Sequence, residues 1–309
     1  MVAFALVYVF WGSTYLGIRI AVEHVPPELM TGARFLVAGI GMLLACVLTG
    51  RRIAITGRDL WRQAIIGLLL LSISNVGLSW AEQYVRTGLA SLIIASVPIW
   101  FLVLDTWVLR GDHVTPRGLL GLALGVAGIV VLIWPRLWSS SGHGNRMELL
   151  GSVVLVGSSL VWAIGSVLSR RWQGKVDAFA ATGWQMSIAG TVNLGMAFLL
   201  GEPARATWTW SSVAAIVYLI VFGSWVGYSA YIWLLHNVPT SKVGTYAYVN
   251  PVIAVFLGWL FLNEKVDGYI VAGTVIIIAA VALATTAKVK PRGEPEHEPE
   301  LPACEAGAD

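Results

Sequence analysis

Charge is what this sequence has least of. Only 12% of its 309 residues are Asp, Glu, Lys or Arg and 57% are hydrophobic, whereas soluble domains carry about 25% charged residues. With a mean hydropathy of +0.75, so few charges cannot cover a water-facing globular surface. A soluble fold is excluded and a polytopic membrane protein remains. Cysteine is nearly absent: Cys46 lies in an apolar run and Cys304 in the terminal segment, which argues against a structural disulfide and offers no metal-ligand spacing. His24, His113, His143, His236 and His297 are scattered, and there is no GxxxxGK[ST] loop, HExxH or CxxC. A lipid-modifying enzyme needs acids, histidines or metal ligands converging at membrane depth. No enzyme, ATP-driven pump, cofactor or metal is therefore expected. The formal charge of +3 follows from loop residues and carries no nucleic-acid signature.

What the chain does have is long apolar runs. A bilayer core of about 30 Å needs roughly 20 apolar residues per helix. Windows of that length fall near 2–22, 28–49, 61–83, 88–109, 117–134, 148–169, 178–200, 211–235, 240–262 and 266–287, giving an all-α fold of ten spans. Most connections are short, which makes neighbours antiparallel and leaves no room for an inserted soluble domain. Fifteen Trp and nine Tyr, many near span ends (Trp61, Trp134, Trp138, Trp172, Trp208, Trp210), suit aromatic belts at the interfaces. The segment 288–309, rich in Pro and Glu, cannot build a core and reads as a solvated tail.

Lys and Arg set the orientation. With the N-terminus inside, the cytoplasmic loops and tail hold Arg51, Arg52, Arg58, Arg62, Arg110, Arg117, Arg170, Arg171, Lys175, Lys242, Lys288, Lys290 and Arg292; the outer loops hold Arg86, Arg136, Arg146, Arg205 and Lys265. Both termini are expected in the cytoplasm of a cell bounded by this plasma (bacterial inner) membrane. The first apolar run lacks a basic flank and a small-residue cleavage site, so it reads as a retained span. The absence of Lys or Arg before Val2 leaves room for a start upstream of Met1.

The second half echoes the first. Trp11, Arg19, Thr31 and Gly32 recur 151 positions later as Trp162, Arg170, Thr182 and Gly183, and Pro98 recurs 153 positions later as Pro251. Repeats of five spans each, an odd number, enter the membrane from opposite sides, and such inverted repeats are typical of transporters working by alternating access. The expected organisation is 1–137 for the first repeat, 148–287 for the second and 288–309 for the tail.

The segment Trp11-Gly12-Ser13-Thr14-Tyr15 with Arg19, Pro26-Pro27 and Arg34-Phe35 resembles the opening of EamA-type proteins of the drug/metabolite transporter superfamily, closest to its YedA-like branch. The run Thr245-Tyr246-Ala247-Tyr248-Val249-Asn250-Pro251, followed by Gly258 and Glu264, resembles the second EamA repeat. The resemblance covers nearly the whole chain apart from the tail. It implies two inverted five-helix EamA repeats and export of small metabolites, amino acids or toxic compounds from the cytoplasm. Arg110-Gly111-Asp112 stands where the family has Gly-Glu, which leaves the role of Asp112 open.

Candidate site residues follow from polar and aromatic groups inside spans. Trp11 with Thr14 and Tyr15, and the equivalent Trp162 with Gly165 and Ser166, present an aromatic face beside small or hydroxyl residues, suited to moderately apolar or cationic solutes. Packing or belt roles are the alternative. Arg34, Gln185, Tyr246, Tyr248 and Asn250 complete the candidate substrate-binding set; Asn75, Asn193, Tyr228 and Tyr231 are further polar positions with helix-to-helix bonding as the alternative. Arg19, Arg34 and Glu82 lie toward the outer side and are candidates for gating or proton coupling, with a Glu82–Arg34 pair on one reading and an Arg19–Glu23 pair one turn apart on the other. Pro98 and Pro251 are candidate hinges. Gly118, Gly121, Gly125 and Gly128 form a stripe for close helix approach, within the chain or across a homodimer. The expected partners are a small-molecule substrate, membrane lipids and, for a coupled mechanism, protons. An uncoupled facilitator and a ligand-binding sensor without flux are the alternatives.

Overall fold

The computed structural model describes residues 2–107, 116–138, 143–172, 176–238 and 240–286. These form helices α1 (Val2–Val22), α2 (Pro27–Leu48), α3 (Gly57–Ala81), α4 (Thr87–Ile94), α5 (Val97–Trp107), α6 (Pro116–Trp138), α7 (His143–Arg171), α8 (Ala178–Leu199), α9 (Trp210–Asn237), α10 (Thr240–Val243), α11 (Tyr246–Leu262) and α12 (Gly268–Thr286). A short 3₁₀ turn at Glu202–Arg205 joins α8 to α9. Among the described residues there is no strand, as expected where hydrocarbon supplies no partner for backbone amides and each helix must satisfy its own. Six stretches of the described residues, α1, α2, α3, Thr87–Leu104, Arg146–Arg171 and α9, are long and apolar enough to cross a membrane. The protein is thus an all-helical, polytopic membrane protein. Asp112 and the tail from residue 287 lie outside the described residues.

Local signals explain the helix starts. Pro27 opens α2, where a missing N–H costs nothing. The Thr56 hydroxyl accepts from the Asp59 amide at 3.2 Å at the head of α3. Asp177 accepts from the amides of Phe179 and Ala180 at 2.9 and 3.2 Å at the head of α8, and Thr209 and Ser212 form a capping box on α9. Trp61, Trp208 and Trp210 are exposed near helix ends, in keeping with interfacial anchoring.

The seam between α2 and α8 is the most extensive helix contact, and glycines make it. A side chain at Gly32 would sit 2.6 Å from the main-chain nitrogen of Leu194, and one at Gly183 would meet the Leu43 side chain at 2.9 Å. Gly39 lies directly on the backbone of Ser187, and Gly190 on that of Leu36. Shifted by 151 positions, Gly32 becomes Gly183, Leu43 becomes Leu194, Leu36 becomes Ser187 and Gly39 becomes Gly190. The two close approaches therefore reciprocate. Helices α6 and α12 form the next largest seam, where Gly128 lies against Ile277, while Gly125 accommodates Ile99 of α5; these members of the glycine stripe serve packing within the chain.

Three stretches are wound more widely than an α-helix: Val7–Trp11 in α1, Leu68–Ser74 in α3 and Leu219–Tyr228 in α9. Such π-turns concentrate at functional sites. The α3 and α9 stretches begin at positions 151 apart.

The two prolines differ in setting. Pro98 does not kink a continuous helix: the chain breaks at Ala95–Ser96, and Pro98 occupies the second position of α5, where the lost N–H is harmless. The break is held from α7, because Ser159 Oγ lies 3.0 Å from Ser96 Oγ and accepts from Trp100 Nε1 at 2.8 Å. Pro251 sits inside α11.

Candidate functional site

Helices α1, α2, α3, α4, α7, α9 and α11 enclose a central cavity with about 640 Å³ of empty space, its mouth included. Its lining includes Trp11, Thr14, Tyr15, Ile18, Arg34, Phe35, Ser74, Asn75, Leu78, Trp162, Tyr228, Tyr246 and Asn250. Residues expected to bind substrate from both halves of the chain thus meet in one place.

One wall is a set of packed rings. The Trp11 and Trp162 rings meet edge to face with centroids 5.5 Å apart and an angle of 80°. Tyr231 packs on Trp11 at 4.7 Å and on Trp162 at 5.4 Å, and Tyr246 meets Trp11 at 5.6 Å and Tyr231 at 5.9 Å. Hydrogen bonds fix the rings. Trp162 Nε1 donates to the Tyr231 hydroxyl at 2.9 Å, Ser166 Oγ lies 2.7 Å from the same hydroxyl, and Trp11 Nε1 donates to the Gly223 carbonyl at 3.2 Å. An aromatic wall whose polar tips are already satisfied offers apolar faces of fixed orientation.

Gln185 has a supporting place. It is buried outside the lining, accepts at 2.6 Å from the hydroxyl of Tyr228, which does line the cavity, and donates through Nε2 to Gln63. Asn193 bonds Thr31 at 3.3 Å and the Leu71 carbonyl at 3.2 Å, joining α8 to α2 and α3. Thr14 lines the cavity and turns its hydroxyl back to the Trp11 carbonyl at 2.7 Å. The Tyr248 side chain lies outside the described part of α11.

Arg34 is the charged group of the lining, and it does not pair with Glu82. Its Nε donates to Ser224 Oγ at 3.0 Å, its guanidinium carbon stands 4.7 Å from the Phe35 ring centre, and Nη1 is buried with no partner. Arg19 instead lies 3.6 Å from Glu23 one turn on and donates to the main-chain carbonyl of Glu82. The Glu82 side chain is fully buried, and neither carboxylate oxygen has a partner. The cationic surroundings are therefore divided: Arg34 belongs to the cavity and Arg19 to the end of the bundle where α1 finishes.

That end is tied together by carboxylates from the second half. Asn263 adopts φ 52° and ends α11, a left-handed cap that turns Glu264 back toward Gly258, whose missing side chain leaves room for the carboxylate. Glu264 then accepts from the amides of Thr87 and Gly88 at 2.7 and 3.1 Å at the head of α4. Glu202 accepts from the Leu29 amide at 2.7 Å at the head of α2, and Arg86 meets Asp267 at 3.1 Å. Carboxylates at helix N-termini satisfy orphan amides and complement the helix dipole.

The structure also brings in residues to which sequence reasoning assigned no role. Gly223, Ser224 and Gly227 on α9 receive side chains of α1 and α2: a side chain at Gly223 would meet Arg34 Nη2 at 2.7 Å, and Gly227 accommodates the Trp11 indole. The available signal was the spacing Gly223-Ser224-Trp225-Val226-Gly227, a small-residue motif for close helix approach.

Residues 1–134 and 149–286 match the EamA-like transporter family. The chain is 37% identical over 286 residues to the uncharacterized inner membrane transporter YedA of Escherichia coli strain K12, covering 92% of this chain and 90% of that protein. It is 22% identical over 286 residues to the uncharacterized transporter YoaV of Bacillus subtilis strain 168, covering 92% and 96%. With a chloroplastic WAT1-related protein of Arabidopsis thaliana it shares 28% identity over 286 residues, 89% and 67% of the two chains. A solved crystal structure with 19% identity has the same fold at a TM-score of 0.68, covering 92% of this chain and 95% of that one. This chain belongs to the EamA-like transporter family of membrane proteins, whose members meet small-molecule substrates within a lipid environment.

Proposed function

We propose that this protein is a secondary-active transporter that exports small organic solutes from the cytoplasm by alternating access. The observation that carries this reading is the central cavity, where Trp11 and its repeat equivalent Trp162 pack against each other and residues from both halves line one space. Ten spans in two inverted five-helix halves are the architecture proposed. The reciprocal contacts of Gly32 with Leu194, Gly183 with Leu43, Gly39 with Ser187 and Gly190 with Leu36 support it, since a pseudo-two-fold axis in the membrane plane would exchange each with its counterpart. Halves related in that way can trade conformations, opening the cavity to one side and then the other.

Trp11, Tyr15, Arg34, Trp162, Tyr246 and Asn250 are proposed as direct substrate contacts and Gln185 as the residue that orients Tyr228. The distribution of Lys and Arg favours cytoplasmic termini, which places the Glu264 and Glu202 ties at the outer end as the closed gate. Glu82, buried and unpaired beside Arg19, is the proposed proton carrier, because ionisable groups at membrane depth mark ion and proton pathways.

Flux of labelled amino acids and cationic drugs into inside-out vesicles, with and without a proton gradient, tests the reading. Accumulation that collapses with the gradient and disappears in Glu82→Gln is the expected result. Equilibration indifferent to the gradient would make the protein a facilitator, and ligand binding without flux would make it a sensor.

A further inference from the structure

We propose that the hydrogen bonds Tyr8–Thr245 and Ser159–Ser96 are two latches of the cavity, set on opposite sides of the Trp11–Trp162 pair, and that each gives way when the cavity opens toward its own side. This rests on the reading of the protein as working by alternating access. Each bond ties one helix to the break in another. The Tyr8 hydroxyl of α1 lies 2.6 Å from Thr245 Oγ1, in the turn between α10, which ends at Val243, and α11, which begins at Tyr246. Ser159 of α7 lies 3.0 Å from Ser96 Oγ and accepts from Trp100 Nε1 at 2.8 Å, at the turn between α4, which ends at Ile94, and α5, which begins at Val97. Shifted by 151 positions, Tyr8 becomes Ser159 just as Trp11 becomes Trp162.

Helix directions place the two bonds. Arg19 donates to the Glu82 carbonyl, so α1 and α3 finish at the same end of the bundle. Gly151 lies against Ala81 and Val85, Gly77 against Ser158 and Gly165 against Leu70, so α7 runs back along α3 and is antiparallel to α1. Tyr8 precedes Trp11 by three residues and Ser159 precedes Trp162 by three. The bonds therefore fall on opposite sides of the two indoles, whose rings meet at 5.5 Å. Each break also borders the cavity, one through Ile94 and the other through Tyr246.

A helix already interrupted can turn at the break without losing a ladder of backbone bonds, and hinges are typically a few residues at element ends. Tyr8 itself sits in the widely wound stretch Val7–Trp11, a distortion common at functional sites. The net worth of one hydroxyl hydrogen bond biases a two-state balance by only about two- to tenfold. Such a bond is strong enough to favour a state and weak enough to break in every cycle.

The test is the labelling rate of Ile18→Cys, which lies in the cavity lining, by an impermeant thiol reagent added to sealed vesicles of each orientation. The full-length chain is used with Cys46 and Cys304 replaced by alanine. Tyr8→Phe is expected to raise labelling from the side where α1 begins and lower it from the other, changing the ratio of the two rates by about two- to tenfold. Ser159→Ala is expected to move the ratio by a similar factor in the opposite direction, and the double variant to return toward the parent. Thr245→Val should act like Tyr8→Phe, whereas Thr245→Ser keeps the hydroxyl and the parent ratio. Ser96→Ala serves where Ser159→Ala does not fold. The proposal is overturned if the single variants raise labelling from both sides together, as loosened packing would, if they move the ratio in the same direction, or if both leave it unchanged. Gradient-driven flux alongside such a failure would sink the latches and leave the exporter reading standing; opposite shifts in a protein with no flux of any labelled solute would uphold the latches and sink the exporter.

Discussion

Gly190 of α8 rests on the backbone of Leu36 in α2, and the register equivalents of these residues, Gly39 and Ser187, make the same approach in the other direction. One seam thus carries two copies of one contact, which places a close and stiff interface between the halves of the chain beside the cavity. The α2 side of that interface also bears Arg34 and Phe35.

The seam is testable by adding single methyl groups. Gly190→Ala forces backbone to move and is expected to lower stability by about 1–3 kcal/mol, the usual cost of overpacking. A methyl group at Gly195 on the same helix would have nothing within 4 Å of it, so Gly195→Ala is expected to be neutral or stabilising by up to about 1 kcal/mol through helix propensity. Thermal unfolding of the two variants in detergent compares them, and equal effects would contradict the close approach.

Gly223→Ala is expected to push the Arg34 guanidinium out of its place while the bundle stays folded, because the nearest neighbour of the new methyl is the far end of a long side chain. Affinity for solutes bound in the cavity beside Arg34 should fall by roughly tenfold, with the melting temperature little changed. Titration of the folded variant with a solute found to be transported in the vesicle assay checks it.

Tyr231→Phe removes the acceptor for the Trp162 indole N–H and a partner of Ser166. Leaving such a buried donor unmade costs about 1–3 kcal/mol, and the freed indole loses its fixed orientation in the aromatic wall. Reduced thermal stability together with weakened ligand binding is the expected pair of results. Tyr218→Phe, whose hydroxyl bonds Ser13 Oγ outside the cavity lining, is the control whose binding should hold.

Glu264→Gln weakens the cap on α4, where the carboxylate now accepts from two amides. The expected loss is about 0.5–2 kcal/mol, the range for losing an N-terminal cap. If the tie closes the outer gate, a cysteine introduced at Ile18 in the cavity should react faster with an impermeant thiol reagent added from outside. Unchanged labelling would leave Glu264 with a stabilising role only.

Much of the site is legible in the sequence, and the reasons differ by residue. Trp11, Tyr15, Arg34, Trp162, Tyr246 and Asn250 stand out as polar or aromatic groups inside apolar spans, and hydrocarbon makes such groups turn inward; all six line the cavity. Gln185 stands out on the same ground and faces inward too, but its amide is consumed by Tyr228 and Gln63. The pattern along one helix says that a polar group avoids lipid, not which inner partner it finds. Ser224 does not stand out, because a lone serine in a membrane helix carries no distinguishing signal, and its role exists only through Arg34.

What the sequence by itself determined is the class of molecule: hydrocarbon admits only long apolar helices, and correspondences such as Trp11 with Trp162 are written in the order of residues. The tertiary structure decided the pairings. Arg34 and Glu82 share the outer halves of their spans in the sequence-based reading, yet helix rotation and the close approach of α9 through Gly223 give Arg34 to Ser224 and Phe35, while the turn beyond α3 gives the Glu82 carbonyl to Arg19. Charge partners in a bundle depend on which faces the helices present to one another, and those faces are set by packing contacts far apart in the chain.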